Sequence, residues 1–185
     1  GQDFIQFIAD SRGAQAWTPH NANGDYHRTV TLARALALSL NVATATLVDS
    51  IGPAEVARHA ERFGLRGLKA VPSIGLGSNE VTLLDLTGAY AVFPAGGVRR
   101  EPTALRAVTD GLGAVLPRRA APERRVLPPL TAALMCSMLQ NVVEYGIASP
   151  LRRAYGIWTP LGGKTGTTND LRDAWFMGVT PELAA

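Results

Sequence analysis

The chain has 185 residues, 46 % of them apolar, enough for one domain, or a large part of one, with a real core. Its net charge of +3 is carried by scattered arginine pairs (Arg99-Arg100, Arg118-Arg119, Arg124-Arg125, Arg152-Arg153) with little aromatic interleaving. That reads as a solvated surface and argues against nucleic-acid binding, and no apolar run nears the roughly eighteen residues that a membrane-spanning helix needs.

Residues 1–28 are mixed and turn-rich, with Trp17-Thr18-Pro19 and Asn21-Ala22-Asn23-Gly24 reading as loop. No basic, apolar leader opens the chain, and it stops soon after a strand that ought to have a partner. It therefore reads as a piece cut at both ends. Thr31 is an acceptable N-cap for a helix whose apolar face is Leu32, Ala35, Leu36 and Leu38. Ser39-Leu40-Asn41 interrupts that run with two small polar side chains. A second helix is expected over 42–48, ending near Gly52. Pro53 opens a third over 54–63, with Gly64 as its stop.

Residues 72–79 form a glycine-bearing loop, and Thr82 caps a helix from 83 to about 93, closed by Pro94-Ala95-Gly96-Gly97. A short hairpin is expected from 104–109 and 114–116 around Asp110-Gly111. The arginine- and proline-rich piece 117–129 reads as a surface connector. Residues 130–145 read as a long amphipathic helix with Leu130, Leu134, Met138 and Val142 on its apolar face, ended by Gly146. The single cysteine, Cys136, lies in that pattern and is expected to pack rather than react. Helices first and strands after predict an α+β fold, a helical block packed on an antiparallel sheet. The helical part is placed at about 30–145 and the sheet at about 100–116 and 160–185.

The chemistry concentrates in Gly162-Gly163-Lys164-Thr165-Gly166-Thr167-Thr168-Asn169-Asp170, followed by the strand-like Asp173-Ala174-Trp175-Phe176-Met177-Gly178-Val179. The chain has sixteen arginines and two lysines, Lys69 and Lys164. A position needing only positive charge would be expected to carry arginine here, whereas a compact ammonium can shed or share a proton. Gly163-Lys164-Thr165 matches the end of a phosphate loop, but Trp158 stands where the first glycine belongs, and no helix opens after it. The competing reading is a β-hairpin whose first strand lines a cleft and pairs with an extended peptide. Gly166 would there leave room for another backbone. A glycine- and threonine-rich hairpin with an incidental lysine is the plain structural alternative.

Ser39 and Asn41 divide the same way, between capping of a helix junction and a proton relay with an amide donor. A lysine–threonine strand downstream favours the second reading. Such a site would need an activated serine, yet no serine in the chain has lysine three residues on. Ser149 has Arg152 at that spacing, and arginine cannot act as a base. The three histidines, His20, His27 and His59, show no triad or metal pattern.

Ser39-Leu40-Asn41 followed by Lys164-Thr165-Gly166 resembles the second and third motifs of the penicillin-binding proteins and serine β-lactamases. The run from Val30 to Val42, Leu76-Gly77-Ser78-Asn79-Glu80-Val81-Thr82, Ala89-Tyr90-Ala91-Val92-Phe93 with Gly96-Gly97, and Gly163 to Asp170 with Asp173-Ala174-Trp175-Phe176 resemble the class A, bifunctional penicillin-binding proteins. The resemblance runs over nearly the whole chain, in order. It implies that residues 1–185 are a partial transpeptidase domain, lacking the first motif Ser-x-x-Lys and the final strand.

The implied reaction is acyl transfer from D-Ala-D-Ala stem peptides of peptidoglycan through a serine acyl-enzyme, with β-lactams as mimics. Ser39 would shuttle a proton to the leaving amine, Asn41 would hold the acyl-side amide, and Lys164 would supply positive potential. Thr165 and Thr167 would bind the terminal carboxylate beside Gly166. The Thr167 N–H would give half an oxyanion hole. Asn169, Asp170, Asp173 and Trp175 are assigned to hairpin structure. The resemblance implies no metal or other cofactor. It implies a longer, membrane-anchored protein with a glycosyltransferase domain, working outside the cytoplasmic membrane. A DD-carboxypeptidase, a β-lactamase-like hydrolase and a non-catalytic penicillin- or peptide-binding sensor domain are the alternatives.

Overall fold

A computed structural model describes residues 6–10, 13–22, 24, 29–105, 107–117, 122–168 and 173–185. Its helices are α1 (Leu32–Ala37), α2 (Asn41–Ile51), α3 (Pro53–Arg62), α4 (Leu83–Ala91), α5 (Pro129–Glu144) and α6 (Pro150–Arg153), with a 3-10 turn at Pro72–Leu76. Its strands are β1 (Gln6–Asp10), β2 (Gly13–Trp17), β3 (Val98–Arg100), β4 (Glu123–Arg125), β5 (Gly162–Thr167) and β6 (Ala174–Val179), paired antiparallel as β1–β2, β3–β4 and β5–β6. The fold is α+β, with helices packed against small antiparallel sheets.

The helix starts follow their local chemistry. Thr31 Oγ1 accepts the Arg34 N–H at 3.2 Å, and Thr82 Oγ1 accepts the Asp85 N–H at 3.1 Å. Each thereby satisfies a donor that has no partner inside the helix. Gly64, one residue past the C-cap Phe63 of α3, has φ +102, the positive-φ backbone that a helix stop favours.

Two expectations are corrected and a third is met in part. The turn-rich opening contains the β1–β2 hairpin, with Gln6 paired to Trp17 and Asp10 to Gly13. Its alanines and glycine carry weak strand preference, so pairing rather than propensity defines it. The connector 117–129 contains β4, a strand of three exposed charged residues with no alternating pattern to betray it. It is held by register, Arg100 opposite Glu123, and by an Arg100 Nε–Glu123 Oε1 contact of 2.8 Å. The hairpin expected over 104–116 is met in part: the described residues hold the bridge of Thr109 with Val115, with the Leu116 N–H donating to the Val108 carbonyl at 2.8 Å and the Asp110 N–H to that of Ala114 at 2.9 Å. Asp110 Oδ1 closes its turn by accepting the N–H groups of Leu112 and Ala114, both at 2.9 Å.

The apolar face of α5 also differs. Leu130 and Leu134 are exposed, while Ala132, Leu139, Val142 and Val143 are buried. At about 100° per residue, Leu130 and Leu134, each two residues from the buried Ala132, point about 160° away from it. Leu139, Val142 and Val143 come round to the Ala132 side. Val142, Val143 and Ala148 form one core cluster with Leu36, Leu151, Leu161 and Phe176, which joins α1, α5, α6, β5 and β6. Val92, Val126, Leu127 and Ala132 form another with Phe63 and Phe93.

Gly146 makes the first cluster possible. A Cβ there would stand 2.2 Å from the Ala37 carbonyl oxygen and 2.8 Å from Val142 Cα. The Ile147 N–H donates to the same Ala37 oxygen at 3.0 Å. Gly146→Ala should therefore push apart α5 and the end of α1, two residues before Ser39. The expected cost is about 1–3 kcal/mol, read as a lower urea midpoint at unchanged slope.

The arginine pairs are not all solvated. Arg152 is 6 % exposed, and the half-buried Arg99 side chain donates from its Nε to the Phe63 carbonyl at 2.9 Å. Arg62 donates to the Val126 carbonyl, Arg124 to that of Arg62, and Arg125 to that of Gly96. Several arginines thus serve as backbone clamps, a use that their pairing in sequence does not reveal.

Candidate active site

Ser39 sits in the turn between α1 and α2. The Leu40 N–H reaches back to the Ala35 carbonyl at 2.9 Å and the Ser39 N–H to the Leu36 carbonyl at 3.2 Å. This is the helix-ending pattern whose left-handed position normally belongs to glycine. Ser39 occupies that position with φ +53, the one non-glycine residue at positive φ among the described residues. A side chain in that conformation costs on the order of 1 kcal/mol.

The hydroxyl meets Lys164. β5 runs against α5 where Gly162 carries no side chain, and the bare Gly163 leaves room for the Phe176 ring of β6. A Cβ on Gly162 would lie 3.0 Å from the Gln140 nitrogen, and one on Gly163 would lie 2.4 Å from the Phe176 ring. The next residue, Lys164, points its Nζ at Ser39 Oγ, 2.8 Å away and 125 residues distant in sequence. The ammonium also donates to the Thr165 carbonyl at 3.0 Å, with Thr165 Oγ1 at 3.5 Å. Its hydrogen-bond partners among the described residues are neutral oxygens, and burial pushes the Lys164 pKa below the ordinary lysine value.

Asn41 is the first residue of α2, and its Nδ2 donates to the His20 carbonyl at 2.8 Å. The adjacent Asn21, 7 % exposed, accepts the Val42 N–H on its Oδ1 at 3.1 Å. Sequence reasoning missed Asn21, because an asparagine in a polar loop looks like any turn residue. Thr165 is half-buried, while Gly166 and Thr167 are exposed. A Cβ on Gly166 would meet nothing within 4 Å. β5 pairs with β6 on one edge, Lys164 opposite Met177, and no described strand pairs its other edge. Thr168 and Asp173 close the hairpin, the Asp173 N–H donating to Thr168 Oγ1 at 2.8 Å. Asn169 and Asp170 lie outside the described residues.

The phosphate-loop reading fails here, since the glycines and Lys164 belong to a strand that leads into a second strand. Cys136 is half-buried in α5, and burial raises its pKa, as for a packing thiol. What the arrangement offers is a lysine-supported hydroxyl beside an amide and an open strand edge lined with threonines.

Residues 6–184 match the family described as the penicillin-binding protein transpeptidase domain. The chain belongs to the penicillin-binding protein transpeptidase family. It is 38 % identical over 174 residues to penicillin-binding protein 1A of Aquifex aeolicus, covering 94 % of this chain and 24 % of that protein. Against penicillin-binding protein 1A of Neisseria meningitidis it is 36 % identical over 177 residues, covering 90 % and 22 %. The chain thus spans about a quarter of the length of these relatives. In fold it is similar to the crystal structure of penicillin-binding protein 1A from Haemophilus influenzae, with a TM-score of 0.87 at 24 % identity over 99 % of this chain and 33 % of that one. The PonA1 protein of Mycobacterium tuberculosis in complex with penicillin V superposes with a TM-score of 0.74 at 22 % identity, over 96 % and 51 %.

Proposed function

We propose that the chain is part of a peptidoglycan DD-transpeptidase that also binds penicillin, and that it supplies two of the three groups of residues the reaction needs. The observation that carries the reading is the Lys164 Nζ–Ser39 Oγ contact of 2.8 Å, which joins two motifs from opposite ends of the chain. The nucleophilic serine and its lysine base come from a Ser-x-x-Lys outside these 185 residues, since none occurs within them.

The serine oxygen adds to the carbonyl of the penultimate D-alanine of a stem peptide. The C–N bond then breaks, and D-alanine leaves with a proton delivered through Ser39. An amine of a neighbouring stem attacks the ester, loses its proton by the same route and releases the serine. Lys164 keeps the Ser39 hydroxyl oriented, its N–H directed at Oγ so that the hydroxyl hydrogen is free to donate. Asn41 holds the acyl-side amide. The unpaired edge of β5 receives the extended peptide, the Thr165 and Thr167 hydroxyls take its terminal carboxylate, and the Thr167 N–H faces the developing oxyanion. A β-lactam, shaped like the D-Ala-D-Ala end, is trapped as the acyl-enzyme. No cofactor enters these steps. The rest of the protein carries a glycosyltransferase domain and a membrane anchor, and the reaction takes place outside the cytoplasm.

The test is D-alanine release from a stem pentapeptide by the full-length protein, with and without an amine acceptor. A transpeptidase gives cross-linked dimer that rises with acceptor. Release that goes only to water makes it a carboxypeptidase, and no release with retained penicillin binding makes it a sensor.

The buried ammonium also sets a pH dependence. The lowered pKa of Lys164 means that the unfolded chain binds more protons than the folded one between that value and the ordinary lysine value of 10.5. The burial penalty is fully present at lower pH, so stability attributable to this group rises with pH through that window. Acylation should fall through the same window as the cation is lost. Lys164→Arg, which stays charged, should remove that alkaline limb from a plot of penicillin acylation rate against pH; an unchanged limb would assign it to another group.

A further inference from the structure

We infer that Asn21 is a positioning residue for Asn41, setting the orientation of the amide that meets substrate. The inference rests on the transpeptidase reading for what Asn41 does, and on the local geometry for how Asn21 acts. The first N–H groups of any helix lack partners within it. The residue preceding α2 is Leu40, which has no side-chain acceptor, and α2 makes no side-chain capping bond of its own. Asn21 supplies the acceptor from 21 residues away, its Oδ1 taking the Val42 N–H at 3.1 Å. Its side chain is buried, so the bond is shielded from competing water.

The consequence falls on the neighbouring pair. With Asn21 fixed on Val42, the His20 carbonyl is held beside Asn41 and accepts its Nδ2 at 2.8 Å. A carbonyl only accepts, so this contact dictates which end of the Asn41 amide faces the loop. One Nδ2 hydrogen is committed to His20, and the second Nδ2 hydrogen and Oδ1 are left to bind a peptide amide. Two adjacent loop residues thus clamp two adjacent helix residues, immediately after the strained Ser39. Removing the Asn21 acceptor releases the loop, and with it the orientation of Asn41.

The experiment uses the full-length protein and the second-order rate of acylation by a fluorescent penicillin. Asn21→Leu, with the same branched skeleton but without an acceptor, should slow acylation about tenfold or more. Asn21→Asp, which keeps an acceptor oxygen suited to a helix start, should stay within about threefold of the unsubstituted protein. In an Asn41→Ala background, Asn21→Leu should cost less than about twofold further, because the residue it acts through is gone. Equal losses from Asn21→Leu in both backgrounds would overturn the inference, as would a lowered melting temperature with an unchanged acylation rate. Asn21→Ala carries the same comparison if Asn21→Leu does not fold. An unsubstituted protein that takes no label would instead remove the transpeptidase reading, and the inference with it.

Discussion

Lys164→Ala is expected to slow acylation of the full-length protein by a β-lactam about 10²–10³-fold, the loss typical of one preorganised group aimed at developing charge. Nζ is the group that holds Ser39 Oγ, at 2.8 Å, and it lies beside the exposed strand edge where a carboxylate would bind. Ser39→Ala should cost a comparable factor. If the two act as a unit, the double variant should be no slower than the slower single one. Multiplication of the two factors, measured by stopped-flow acylation, would show that they work independently. Lys164→Arg should recover part of the rate through charge alone, since a planar guanidinium cannot place a single donor as an ammonium does.

Arg152→Met should produce the largest loss of stability, about 3 kcal/mol. One guanidinium holds Glu144 Oε1 from Nη2 at 2.7 Å, the Ile157 carbonyl and, at 2.8 Å, the Thr159 carbonyl. It therefore ties the end of α5 and the short helix α6 to the segment that leads into β5. Glu144 keeps half its side chain in water, so the loss comes chiefly from the carbonyls rather than from a stranded charge. Arg152→Lys keeps the charge but cannot fork to three acceptors, and should restore less than half of the loss. Thermal unfolding of the transpeptidase domain reads both; a shift of less than about 2 °C for Arg152→Met would contradict the clamp.

The helical half was legible because its signals are local. Thr31 and Thr82 cap, Pro53 opens, and Gly64 stops, each by chemistry within four residues of its own position. The strands were less so. β5 and β6 declare themselves through threonines, aromatics and valine, but β1–β2 is rich in alanine, and β4 is Glu-Arg-Arg with its partner strand more than twenty residues away. The face of α5 was misread because leucines mark both sides of the helix, and the side that is covered carries the small Ala132. At the site, Ser39 and Lys164 stood out as residue types. The left-handed backbone of Ser39 did not, since that position ordinarily announces itself with glycine. Asn21 was invisible for a different reason: its bond is formed across 21 residues between a loop and a helix start.

The proposed function requires that this chain provide the proton relay and the peptide-binding strand while the nucleophile lies elsewhere in the protein. Labelling the full-length protein with penicillin and locating the adduct by peptide mass spectrometry decides it. The expected adduct is one penicilloyl serine, outside residues 1–185, with lysine three residues on. An adduct on Ser39, or on any other serine of this chain, would contradict it.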